Sequence, residues 1–158
     1  RELQKYYLCL VKGTVTEKSE IHGYLIKDEA HNTVKVCESE KEGSMPIATA
    51  YEPLGHAVWK GQEYTLLNVH LITGKSHQIR AHLQSIGHPV AGDAKYGDKS
   101  TYRLFKEEFG VKYQLLHAWK LCLQKASYLP GKYYGVTWTA PLPEQFQQVL
   151  KAMGIGLP

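Results

Sequence analysis

The 158 residues suit one domain or most of one, with 43% apolar and 22% charged residues and a formal net charge of +4. Such a balance excludes a disordered, collagenous or coiled-coil chain. No apolar run approaches the roughly 20 residues of a membrane span, and no signal peptide stands out. The chain opens on Arg1 rather than Met, so it reads as a processed or truncated product.

Residues 3–12 are β-prone with apolar character on both faces, Tyr7, Cys9 and Val11 on one and Tyr6, Leu8 and Leu10 on the other. This two-sidedness predicts a central strand, ended by Gly13. A second strand is predicted over 33–38. Longer ones follow over 46–59 and 63–72, joined at Lys60-Gly61-Gln62 by a hairpin turn. The period then changes. Ile79, Leu83 and Ile86 recur on one helical face within 76–86, with Thr73 or Ser76 as the cap, Gly87 as the stop and Pro89 beyond it. A short helix is expected over 101–109, and strands over 114–124 and 133–139. Pro143 opens a last helix whose Phe146, Val149, Leu150 and Met153 share a face. Six strands and two or three helices without βαβ alternation indicate an α+β fold on a mostly antiparallel sheet.

Cys9, Cys37 and Cys122 stand singly. They suit reduced thiols of a cytoplasmic protein better than a disulfide framework or zinc site. The positive charge is concentrated. Residues 60–106 hold 7 basic and 3 acidic groups, whereas residues 1–59 hold 7 and 9. A basic segment suits an anionic partner such as nucleic acid, although charge alone does not separate that role from a solvated face.

The most informative stretch is residues 73–98, Thr-Gly-Lys-Ser-His-Gln-Ile-Arg, continuing to Gly-His-Pro-Val-Ala-Gly-Asp and Tyr-Gly-Asp. A strand ends and a helix begins here, and a helix start favours anions. Arg80 follows core-facing Ile79, so partial burial is expected, and a buried Arg requires a carboxylate or phosphate partner. A structural ion pair would meet that need as well as a substrate would. A metal-dependent hydrolase built on the histidines is a weaker reading, since His77 and His82 are five apart and no His-Glu-x-x-His pattern occurs.

This stretch resembles the Thr-Gly-Arg-Thr-His-Gln-Ile-Arg, Gly-His-Pro-Ile-x-Gly-Asp and Tyr-Gly signature of RluA-type RNA pseudouridine synthases. The likeness extends to Lys5-Tyr6-Tyr7 with Gly13, to Leu116-His117-Ala118 and to Ala140-Pro141-Leu142-Pro143. It thins between residues 14 and 45.

The resemblance implies an enzyme that detaches uracil from ribose in ribosomal or transfer RNA, turns the base and rejoins it through carbon 5, without cofactor or metal. It assigns catalytic roles to Tyr7, which packs on the target base, and to Arg80, which pairs with a nucleophilic Asp. Leu116 would line the base pocket, a position equally suited to plain core. Lys75, His77 and Gln78 would serve in substrate binding, by holding phosphate or the Arg–Asp geometry. Lys75 and Ser76 replace the family's usual Arg and Thr, and Lys loses the bidentate fork. The family's His-Arg-Leu-Asp nucleophile motif is absent from residues 1–158. The resemblance therefore implies the C-terminal portion of a single catalytic domain, inactive alone, whose missing part would precede Arg1. A non-catalytic RNA-binding module is the alternative.

Overall fold

The computed structural model describes residues 3–124 and 130–158. Arg1, on which the reading of a cut chain turned, lies outside the described residues. The described residues form strands β1 (Leu3–Lys12), β2 (Ser19–Asp28), β3 (Thr33–Cys37), β4 (Met45–Trp59), β5 (Gln62–Leu71), β6 (Leu116–Leu123) and β7 (Thr137–Thr139). Three helices accompany them: α1 (Gln78–Ser85), α2 (Lys99–Phe109) and α3 (Glu144–Met153). All strands join one sheet in the order β3-β2-β4-β5-β1-β6-β7, and every neighbouring pair is antiparallel. The architecture is the expected α+β one, and no helix among the described residues is long and apolar enough to cross a membrane.

The two-sided pattern of β1 has the predicted consequence. β1 lies between β5 and β6, and its alternate residues feed two cores. Leu8 and Leu10 join Tyr64, Leu66, Phe105 from α2 and Phe146, Val149 and Leu150 from α3. Cys9 and Val11 join Leu67, Val69 and, from α1, Ile79 and Leu83. Helices therefore cover the sheet on both faces, and each fully buried aliphatic side chain contributes about 1.5–3 kcal/mol. Gly13 ends β1 as read. Its φ is +93°, and a Cβ there would stand 2.8 Å from His88 Nδ1, the nitrogen that meets the Lys12 carbonyl oxygen at 3.0 Å.

Several sequence expectations are corrected. β2 falls where the sequence predicts no strand. Four of its ten residues are exposed, and the buried Gly23 within it leaves room for the Cys37 carbonyl and Val36, which would stand 3.2 and 3.3 Å from a Cβ there. The strand read over 133–139 is confined to β7, because a 3₁₀ turn occupies Gly131–Tyr133. The helix read over 76–86 starts only at Gln78. Its N-cap is His77, at φ 58°, with no side-chain capping bond. Neither Thr73 nor Ser76 caps it, because the Thr73 hydroxyl donates to Gln78 Oε1 instead, at 2.9 Å. Gly87, at φ 86°, does stop the helix. The His88 amide returns to the Leu83 carbonyl at 2.9 Å, closing the last turn as C-terminal glycines do. α2 starts two residues earlier than read, on an Asp98 cap that accepts from the Thr101 amide.

Candidate active site

Three segments far apart in sequence meet at one cleft of about 300 Å³. β1 contributes Tyr7, the turn and helix after β5 contribute Lys75, His77, Gln78 and Arg80, and β6 contributes Leu116. All six residues singled out in the sequence line this cleft. Gln114, Leu71 and Ile79 complete it. The pairing of Tyr7 with Ala118 and Cys9 with Leu116 explains the convergence on the β1–β6 side. A larger hollow, about 460 Å³, lies by Tyr6 and His70 and carries Glu20 and Glu52 beside Lys18. Two carboxylates and no guanidinium suit a polyanion poorly.

Arg80 is held by Asp93. Nε donates to Oδ2 at 2.7 Å and Nη2 to Oδ1 at 2.8 Å, a bidentate fork of the strong, directional kind. The Arg80 side chain is 13% exposed and that of Asp93 is fully buried. Asp93 Oδ1 also accepts from the Lys95 and Tyr96 amides at 2.9 and 3.0 Å. Burial alone would raise the Asp93 carboxyl, but the Arg80 and amide bonds outweigh it and hold it below its ordinary range. The loop carrying Asp93 is fixed by stitching along β1, with Ala91 N donating to the Leu10 carbonyl at 2.8 Å and Lys12 N to Pro89 at 3.0 Å. Gly97 closes it. A Cβ there would sit 2.2 Å from the Asp93 carbonyl oxygen, so only glycine fits.

The buried Arg thus finds its carboxylate thirteen residues along its own chain. Asp93 is too enclosed to attack a substrate, and its lone pairs already serve four donors. On Arg80, Nη1 has no partner among the described residues and is left for a second acceptor.

Gln78 is placed differently from a group that touches substrate freely. It is 1% exposed. Its Oε1 accepts from the Thr73 hydroxyl and the Lys75 amide, and its Nε2 donates to the Ala48 carbonyl and Thr49 Oγ1, all at 2.9–3.0 Å. It pins the Thr73–Lys75 turn to β4 and shapes the cleft wall. Replacement by Ala is expected to lower stability by about 2–3 kcal/mol, the cost of orphaned buried polar groups. Exchange of the Lys75 amide should accelerate with it. Unchanged unfolding curves and exchange would remove this role.

Sequence reasoning missed Tyr96. Its hydroxyl meets His77 Nδ1 at 2.9 Å and accepts from Val34 N at 2.9 Å, and its ring lies 4.9 Å from the Arg80 guanidinium carbon. The signal was present in the Gly-Asp…Tyr-Gly stretch, without a sign of what it touches. His77, packed against Tyr96 and beside Arg80 and Lys95, is held below its ordinary basicity, first by burial and then by those two cations, with Asp93 opposing.

The family model described as RNA pseudouridylate synthase matches residues 1–85, more than half the chain. The chain belongs to the RluA-type RNA pseudouridine synthases. Among its relatives in that family, the ribosomal large subunit pseudouridine synthase D of Nitrosomonas europaea is 34% identical over 158 residues, 97% of this chain and 42% of that protein. The tRNA pseudouridine synthase C of Vibrio vulnificus is 30% identical over 128 residues, 77% and 52% of the two chains. The fold agrees with human RNA pseudouridylate synthase domain containing 4 (TM-score 0.70, 19% identity, 99% of this chain and 64% of that one). It agrees also with human domain containing 1 (TM-score 0.65, 24% identity, 97% and 66%). The chain spans about half the length of these curated pseudouridine synthases.

Proposed function

We propose that this chain carries the uridine-receiving part of an RNA pseudouridine synthase acting in the cytoplasm on structured ribosomal or transfer RNA. The observation that carries the reading is the convergence of Tyr7, Arg80 and Leu116 from three separate segments on one cleft. A uridine displaced from its stack needs an aromatic face and an apolar wall, which Tyr7 and Leu116 offer. Nη1 of Arg80 is the donor left over by Asp93. It suits a nucleophilic carboxylate, which a guanidinium keeps ionised and aimed. Lys75, exposed at the cleft rim, supplies positive charge for a backbone phosphate.

The nucleophile in this proposal comes from sequence preceding Arg1. The test is pseudouridine formation measured by isotope release. The 158-residue chain should show none, because binding groups do not replace a covalent nucleophile. A chain extended upstream through a His-Arg-Leu-Asp-like motif should turn over. Turnover by the short chain would overturn the assignment. A native start near Arg1 would favour the binding module. RNA affinity should also fall steeply with salt, as counterion release requires; insensitivity to a severalfold rise in salt would contradict the basic-surface reading.

A further inference from the structure

The Tyr96 hydroxyl has two neighbours and one proton. The Val34 backbone N–H donates to its oxygen at 2.9 Å, and a backbone N–H can only donate. His77 Nδ1 lies 2.9 Å from the same oxygen. Tyr96 is 5% exposed, and among the described residues no other acceptor for its O–H is within reach. A buried hydroxyl left without an acceptor is costly, so the phenol proton goes to His77 Nδ1, which must be unprotonated. A neutral imidazole carries one N–H, so the proton of His77 sits on Nε2, which has no partner among the described residues.

Two further features hold this arrangement. The Tyr96 ring meets the His77 ring edge-on, with centroids 5.4 Å apart. The His77 backbone adopts the left-handed conformation at φ 58°, uncommon for a residue with a side chain. The charged groups about His77 are Arg80 and Lys95, which oppose its protonation, and Asp93, which favours it. An imidazolium would also turn an Nδ1–H against the Tyr96 O–H.

We infer that His77 is a neutral hydrogen-bond donor, fixed in its Nε2–H form by the positioning residue Tyr96, for an oxygen acceptor of the nucleotide in the cleft. The identity of that acceptor rests on the uridine reading; the tautomer does not.

Long-range ¹⁵N–¹H correlation spectra of the labelled 158-residue chain at neutral pH test the tautomer. Nδ1 should be pyridine-type and Nε2 pyrrole-type. Tyr96→Phe keeps the ring beneath Arg80 and removes the O–H. It should give mixed tautomers, because Nδ1 no longer has an O–H to accept. A pyrrole-type Nδ1 in the unaltered chain, or an unchanged tautomer in Tyr96→Phe, overturns the inference. Adding a uridine-containing oligonucleotide should shift His77 Nε2 together with Tyr7 and Leu116. Shifts at Tyr7 and Leu116 with Nε2 unmoved remove His77 as a substrate donor. No shift at any of the three overturns the uridine reading, and with it the named acceptor, while the tautomer stands on its own spectra.

Discussion

Asp93→Ala is expected to lower the unfolding free energy by about 3–5 kcal/mol, the range for removing one partner of a buried ion pair. The loss has two parts. Arg80 would keep its charge in a largely enclosed site, and the Lys95 and Tyr96 amides would lose their acceptor. Asp93→Asn should cost less, because one oxygen remains to accept from the amides. Denaturant unfolding at neutral pH reads both effects. A change under about 1 kcal/mol in Asp93→Ala would show that this pair does not organise the loop. The pair also sets an acid response. The Asp93 carboxyl is held below its ordinary value in the fold, whereas in the unfolded chain it protonates near 3.9. Its contribution is therefore fully present above that value and is lost as pH falls through the lower folded one. The loss of unfolding free energy between pH 5 and 2 should thus be smaller in Asp93→Asn than in the unaltered chain.

Arg80→Lys in an active, upstream-extended protein is expected to lower turnover by about 10²–10³-fold, the order found when one charge-stabilising donor is removed. Lys keeps a cation for Asp93, so the fold should survive, but a single ammonium cannot serve Asp93 in a fork and a second carboxylate as well. Arg80→Ala is the less informative variant. It removes the cation from a fully buried carboxylate, so lost turnover would be mixed with lost stability. Near-normal turnover in Arg80→Lys, with unfolding unchanged, would contradict the second-acceptor role of Nη1.

How far the sequence revealed all this depends on whether the signal was local. β1 was legible because its alternation of apolar residues on both faces has one structural solution, a central strand between two cores. α1 was legible in its buried face, Ile79 and Leu83, and in its stop at Gly87. Its start was not, because Gln78 turns its amide into the sheet and Thr73 serves Gln78 rather than the helix end. β2 escaped because its apolar residues, Ile21 and the run Tyr24-Leu25-Ile26, do not alternate as a half-buried strand should, and Gly23 becomes intelligible only once Cys37 and Val36 are beside it. At the site, the physical demand of Arg80 for a carboxylate was readable. Which carboxylate met it was not, since Asp93 is brought in by the stitching of residues 89–91 along β1. Tyr96 was invisible as a site residue for the same reason: its three partners lie on β3, on the turn before α1 and on α1 itself.

The position of β1 also bears on how the chain reaches this state. The strand is made before both of its partners and is apolar on both sides, yet Val11 pairs with Thr65 and Leu3 with Leu123. Such distant pairings slow folding, because loop-closure entropy is spent before contacts form. At a synthesis rate of 5–20 residues per second, roughly 6–24 s separate Leu3 from its β6 partner. Through that interval β5 can pair along one edge of β1, but the β6 edge stays open and the Leu8–Leu10 face still lacks Phe146, Val149 and Leu150 of α3, a condition that favours aggregation of nascent chains. Yield from cell-free synthesis should therefore be limited by how long that open edge and face stay uncovered.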